Sequence, residues 1–283
     1  MNSKRSTPER SDAEVTQRVV SDIVPNVIPV AEPHALIGAD DTLSALPDTV
    51  HVWAFSLQGS SECIDWCYGQ LPESERTCAE RFVYSKDRKA YVFAHGLTRH
   101  LLGRYLGVPA HDLIFTTNPA GKPKLALAGG SISFNLTHAS GRALLAVCDG
   151  RDVGVDLEQR RFDVEPLDIA RYCFFGSERT AIEQAPEQDQ RDTFLRYWVA
   201  KEAVLKGEGI GLGFPLDHFQ VQFNPGSSSA RIVSFDKQQL AGDWIVRMLP
   251  CDPGWFAAVA ARGDDWTFKW ERPPLRRGST TDV

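Results

Sequence analysis

The pattern that most restricts the fold is a helix-length apolar stripe followed, twice along the chain, by a series of short strands. Between about Pro72 and Leu106, residues Ala90, Phe93, Ala94, Leu97, Leu101 and Tyr105 recur three or four apart, the spacing that lines one side of a buried helix. Val50–Phe55 precedes it with a strand-like alternation, and Gly103, Gly107 and Pro109 close it. Strand signals then follow at Ile114–Thr117, Ser131–Asn135, Ala143–Cys148 and Val153–Leu157. The second half repeats the order: weaker helical material over Val164–Glu183, a strong helix over Asp192–Gly207, and strands near His218–Phe223, Arg231–Phe235, Trp244–Met248 and Trp255–Ala261. This order predicts an α+β fold of two similar αβββ-type lobes, 46–152 and 153–270. No residue-for-residue identity links the halves, so the repeat is one of organisation.

The ends read differently. Residues 1–45 carry four Lys/Arg against seven Asp/Glu, several prolines and no aromatic residue, which predicts a flexible N-terminal tail; Val15, Val19, Val20, Ile23 and Val24 would also suit a short docked helix. Residues 271–283 read as a loose C-terminal tail. With 283 residues, 42% of them hydrophobic, the chain has ample material for a core. Its net charge of -6 argues against a nucleic-acid coat, which needs a basic surface. No run of about 18 apolar residues occurs and Met1–Val20 is too polar for a signal peptide, so a cytoplasmic protein without a membrane partner is expected. The six cysteines form no Cys-x-x-Cys pair, and Cys63 and Cys67 lack a second pair at zinc spacing, so reduced structural thiols are expected.

Four segments can carry chemistry. In Gly154-Val155-Asp156-Leu157-Glu158, at a strand end, Asp156 and Glu158 share a face; neighbouring carboxylates repel unless a cation lies between them, and hard oxygen ligands suit Mg²⁺ or Mn²⁺. A solvated strand end would read the same. On the helix Phe194–Lys206, Glu202 and Lys206 stand one turn apart, either as a surface salt bridge or as a metal carboxylate beside a phosphate-binding ammonium. Phe134-Asn135-Leu136-Thr137-His138 ends a strand in donors that suit phosphate oxygens, although a lone histidine is more often a packed residue. Asn118-Pro119-Ala120-Gly121-Lys122-Pro123 is a tight turn, not a Walker A loop. The chain has no Gly-x-Ser-x-Gly elbow and no His-Glu-x-x-His helix.

None of these segments is specific alone, but their order and spacing resemble the 4'-phosphopantetheinyl transferase superfamily, in its monomeric two-lobed (Sfp-type) class. The resemblance spans about residues 50–262. Its most diagnostic part is Gly-Val-Asp-Leu-Glu followed, about forty residues on, by Trp-Val-Ala-Lys-Glu-Ala-Val-Leu-Lys. It implies a two-lobed fold with pseudo-twofold symmetry and transfer of the phosphopantetheine arm of coenzyme A to a serine of an apo acyl, peptidyl or aryl carrier protein, releasing adenosine 3',5'-bisphosphate.

By the same resemblance Asp156, Glu158 and Glu202 match magnesium ligands, and Lys206 matches the lysine on the phosphates. Asn135, Thr137 and His138 match coenzyme A phosphate contacts, and Asn118, Gly121 and Lys122 belong to the loop near the nucleotide. Glu202 or a metal-bound water would take the serine proton; a metal-engaged carboxylate is the weaker base of the two states. The chain departs from the pattern at Cys78, where a basic residue is common, and Arg76, Arg81 or Arg88 would have to replace it. Arg76–Arg104 holds seven Lys/Arg against two Asp/Glu, either a solvated helix face or a basic surface for coenzyme A and acidic carriers. A metal-dependent hydrolase of the coenzyme A pyrophosphate, or a non-catalytic coenzyme A or carrier binding module, would use the same residues.

Overall fold

The computed structural model describes residues 28–37, 41–126, 131–160, 165–211, 213–234, 240 and 243–273. The described residues open with a short helix, α1 (Pro33–Leu36), then β1 (Thr49–Ser56), α2 (Ser61–Gly69), α3 (Glu73–Glu80) and α4 (Ser85–Leu106). A small hairpin, β2 (Phe115–Thr117) and β3 (Pro123–Leu125), leads to β4 (Ile132–Ala139), β5 (Arg142–Asp149) and β6 (Val153–Gln159). Helices α5 (Pro166–Cys173), α6 (Gly176–Glu183) and α7 (Glu187–Glu208) follow. The last elements among the described residues are β7 (Phe219–Phe223), β8 (Ser229–Ser234), β9 (Trp244–Leu249), β10 (Trp255–Arg262) and β11 (Thr267–Trp270).

The expected α+β class is what forms. One sheet has the order β11-β1-β5-β4 and the other β6-β10-β9-β8-β7. Alternation along the strands puts the two sheets face to face. Val50, Val52, Ala54, Leu144, Ala146, Val153, Val155, Leu157, Ala257 and Val259 share one core between them. The opposite faces turn outward to the long helices: Trp53, Phe55, Leu145 and Val147 pack on Phe93, Leu97 and Leu101 of α4, while Ala258 and Ala260 pack with Val199, Ala203 and Val204 of α7. Asp156, out of phase with Val155 and Leu157, is thereby directed to α7.

Three differences from the sequence expectation have physical causes. The stripe from Pro72 to Leu106 is not one helix: it breaks at Arg81–Tyr84, where Tyr84 is extended (φ -95°, ψ 128°) and Val83 and Tyr84 are exposed. The break folds α3 back on α4, so that Arg99 Nη2 and Nε reach the Glu75 carboxylate at 2.7 and 2.9 Å. Second, β11 of the second half pairs in parallel with β1, Thr49 opposite Thr267. Third, part of the expected N-terminal tail is seated: Ile28, Ala31 and Leu36 are buried, and Ala31 bonds both Ala54 O and Ser56 N of β1. The helical spacing of Val15–Val24 lies outside the described residues, as do residues 274–283.

Candidate active site

The site forms where the edge strand β6 lies against α7 and against the end of β4. Two glycines set this distance. A Cβ on Gly154 would stand 2.0 Å from Ala203 O and 2.3 Å from Gly207 N, and one on Gly207 would stand 2.4 Å from the Trp244 ring. Only glycine permits backbones this close, and the approach brings Glu202 and Lys206 of α7 over Asp156.

Asp156 is almost fully buried. Its Oδ1 accepts from Lys206 Nζ at 2.5 Å and from Thr137 Oγ1 at 3.2 Å, and Lys206 Nζ also donates to Thr137 Oγ1 at 3.1 Å. Burial pushes the Asp156 pKa up, against the opposing Lys206 charge and the hydrogen bonds. Burial likewise pushes Glu202 up to about 7, helped by the negative charges of Asp156 and Glu158 and opposed by Lys206. Asp156 Oδ2 and Glu202 Oε1 are both buried without a hydrogen-bond partner among the described residues. Orphaned acceptors of this kind are costly unless something polar or cationic meets them.

These two carboxylates therefore suit a hard divalent cation. Among the described residues, however, no three Asp, Glu, His or Cys groups converge on one point. Glu158, half-buried on the same face of β6, contributes negative potential at Glu202 without closing a cluster of three. In this arrangement the Lys206 ammonium supplies the positive charge beside Asp156. A cleft of about 240 Å³ opens alongside, lined by Glu158, Ile169, Arg191, Phe194, Leu195 and Trp198.

The remaining residues singled out from sequence fall into several places. Thr137 faces Asp156, whereas His138, next along β4, is exposed on the other side; the buried flank of its ring and the nearby His95 and Lys206 charges hold its pKa down. Asn135 Oδ1 accepts from Val155 N at 2.9 Å and so pins β4 to β6. Asn118 and Lys122 close on the C-terminal end of α7. Asn118 Nδ2 donates to Gly209 O at 2.6 Å, and Lys122 Nζ donates to Gly207 O at 2.5 Å and Val153 O at 3.2 Å. Burial lowers the Lys122 pKa to about 8. Gly121 has φ +89° and forms the turn, whose Asn118 Oδ1 accepts from Ala120 N and Lys122 N.

Arg81 and Arg88 lie on the exposed stretch 81–89, with the Arg88 guanidinium 5.9 Å from the Tyr68 ring centre. Arg76 is engaged with Tyr68 O and Gly69 O at the end of α2. Cys78 is exposed, and all six cysteines are free thiols. The basic stretch Arg76–Arg104 is not one continuous face, because Arg99 and Arg104 are buried; Arg99 binds Glu75, Ala110 O and Leu113 O, and Arg104 binds Asp41 O. Two charged residues without a role in the sequence reading, Glu178 and Lys201, are fully buried. Lys201 was detectable in principle, as a cation within the apolar stripe of Tyr197, Val204 and Leu205.

Residues 152–260 match the 4'-phosphopantetheinyl transferase superfamily, and residues 58–149 match the N-terminal region of 4'-phosphopantetheinyl transferases. The chain is 30% identical to 4'-phosphopantetheinyl transferase HetI of Nostoc sp. over 84% of its own length and 98% of that protein. It is 28% identical to 4'-phosphopantetheinyl transferase Sfp of Bacillus subtilis, over 69% and 83% of the two chains. It is 27% identical to the human L-aminoadipate-semialdehyde dehydrogenase-phosphopantetheinyl transferase, over 75% of each. No helix among the described residues is long and apolar enough to cross a membrane. By these matches the chain belongs to the 4'-phosphopantetheinyl transferase superfamily.

Proposed function

We propose that this enzyme transfers the 4'-phosphopantetheine arm of coenzyme A to a serine hydroxyl of an apo acyl, peptidyl or aryl carrier protein, and that it needs Mg²⁺ or Mn²⁺ to do so. The observation that carries the reading is the pair of buried, partnerless oxygens, Asp156 Oδ2 and Glu202 Oε1, beside the Lys206 ammonium. Asp156 and Glu202 would hold the cation, with Glu158 next outward. Bound there, a divalent cation supplies charge neutralisation to a pyrophosphate whose leaving oxygen gains negative charge.

The chain's own residues account for the rest. Lys206, held by Asp156 and Thr137, places an ammonium against a phosphate oxygen, and Thr137 keeps it in line. His138 offers an imidazole N–H from the exposed end of β4. Glu202 would accept the serine proton at the carboxylate oxygen other than Oε1, which is left to the cation. The apolar wall of Ile169, Phe194 and Trp198 suits the uncharged pantetheine chain and keeps water from competing with the serine. Release of adenosine 3',5'-bisphosphate completes the balance: the phosphorus exchanges its bond to the departing bisphosphate for one to the serine oxygen. We further read the enzyme as a cytoplasmic monomer of two lobes, 46–152 and 153–270, with pseudo-twofold symmetry.

Incubation with coenzyme A, Mg²⁺ and an apo carrier protein, read by intact mass, tests this. A carrier gain of one phosphopantetheine, lost on chelation of the metal, is the expected result. Carrier-independent cleavage of coenzyme A would make the chain a hydrolase, and no reaction with retained coenzyme A binding would make it a binding module.

A further inference from the structure

Among the buried charges that the proposed reaction does not use, one pair is tied to four separate elements. Lys201 is 0% exposed and Glu178 1%. All three Lys201 ammonium hydrogens are committed: to Glu178 Oε2 at 2.9 Å, to Leu216 O at 2.7 Å and to Phe219 O at 2.6 Å. The same ammonium lies 4.1 Å from the centre of the Phe219 ring. Glu178 is equally occupied, with Oε1 accepting from Val221 N at 2.7 Å and Oε2 from Phe175 N at 3.0 Å. The pair therefore joins α6, α7, the one-turn helix Leu216–His218 and β7 at a single point.

Burying such a pair costs desolvation that the mutual attraction only partly offsets, so well-packed apolar residues would serve stability about as well. What an apolar pair would not supply is direction. Lys201 precedes Glu202 immediately on α7, and neighbouring residues stand about 100° apart around a helix. Fixing the Lys201 side chain against Leu216, Phe219 and Glu178 on one side of α7 fixes the angle at which Glu202 meets β6 on the other. Side-chain ends lie about 5–6 Å from a helix axis, so a rotation of about 10° carries the Glu202 carboxylate about 1 Å. A displacement of that size at a reacting group costs on the order of a hundredfold in rate.

We propose that Lys201 and Glu178 are positioning residues: their ion pair sets the rotation of α7 so that Glu202 and Asp156 face each other as a cation site. The catalytic arm of the test rests on the phosphopantetheine-transfer reading, and the metal arm does not. The variant is Lys201→Met with Glu178→Gln, which removes both charges while the glutamine carbonyl still accepts from Val221 N. Three quantities are measured: Mn²⁺ affinity by electron paramagnetic resonance, kcat and KM for an apo carrier, and thermal melting.

The expected result is a folded protein whose Mn²⁺ affinity falls about tenfold or more and whose kcat falls about a hundredfold, with KM for the carrier unchanged. Val204→Ala, a buried truncation elsewhere on α7, is expected to lower the melting temperature without moving either the Mn²⁺ affinity or kcat. A folded double variant with wild-type Mn²⁺ affinity and kcat overturns the proposal, as does an equal loss in Val204→Ala. Should the double variant fail to fold, Glu178→Gln alone decides by the same two readouts, and unchanged values again overturn it. Absence of transfer by the wild-type protein would remove the proposed function and leave the Mn²⁺ comparison to decide the positioning role.

Discussion

The ion pair between Lys206 and Asp156 predicts an asymmetric response to removing either partner. At 2.5 Å the two are in direct contact, but Asp156 has a side chain only 3% exposed while that of Lys206 is 32% exposed. Lys206→Met strands a buried carboxylate that keeps the Thr137 hydroxyl as a donor to Oδ1 but has lost its counter-charge. Breaking a pair in this way costs about 3 kcal/mol, the lower end of the range for buried pairs, because the lysine side is open to solvent. Asp156→Asn leaves an ammonium that still donates to Thr137 Oγ1 and can turn to water, at a cost of about 1 kcal/mol. For a chain of this size these losses convert to about 6–12 °C and about 2–4 °C in melting temperature. Thermal melts followed by circular dichroism in chelator-containing buffer measure both. Equal losses, or a larger loss for Asp156→Asn, would show that the carboxylate is not the buried partner and would sink the argument.

Other perturbations follow from the same geometry. Gly154→Ala forces a methyl group to 2.0 Å from Ala203 O; it is expected to cost about 3 kcal/mol or more in urea unfolding and to abolish transfer, and a variant with normal activity would refute the close-approach argument. Glu75, though burial raises its pKa, is held down at about 2 by contacts from His95 and Arg99, whereas its ordinary value is 4.5. Its contribution, about 3 kcal/mol, is thus fully present above about pH 4.5 and lost as pH falls toward 2. Urea midpoints of Glu75→Gln should therefore trail wild type at about pH 6 and converge with it at about pH 2, and a gap that persists in acid would contradict the assignment. Lys122→Met removes the bonds to Gly207 O and Val153 O and should cost about 1–2 kcal/mol with no coenzyme A present; an unchanged melt would mean that the lysine serves only a ligand.

The chemistry was legible where it follows backbone periodicity. The period of two placed Asp156 and Glu158 on one face of β6, and the period of 3.6 placed Glu202 and Lys206 on one side of α7, before any coordinates were needed. The helix break at Arg81–Tyr84 was not legible, because the aromatic and β-branched residues Phe82, Val83 and Tyr84 fit a buried stripe as well as an exposed corner. Nor was the role of Lys122 readable, since a lysine in a Gly-Lys-Pro turn looks the same whether it meets a phosphate or two carbonyls. Gly154 reads only as part of a strand-end motif and Gly207 only as a helix end; the crossing of β6 over α7, a relation between distant segments, explains them.

The pairing of β11 with β1 reaches beyond the folded state to synthesis. Thr49 and Val50 meet Thr267 and Phe268, so one outer edge of β1 stays open until those later residues have left the ribosome. During that interval the nascent first half presents an unpaired, apolar strand edge, the feature most prone to wrong pairing with other chains. Ala31, already bonded to Ala54 and Ser56, guards the far end of that edge from the outset. Production of the chain truncated before Thr267 should accordingly yield aggregate rather than a smaller folded enzyme, read by sedimentation of the freshly translated product.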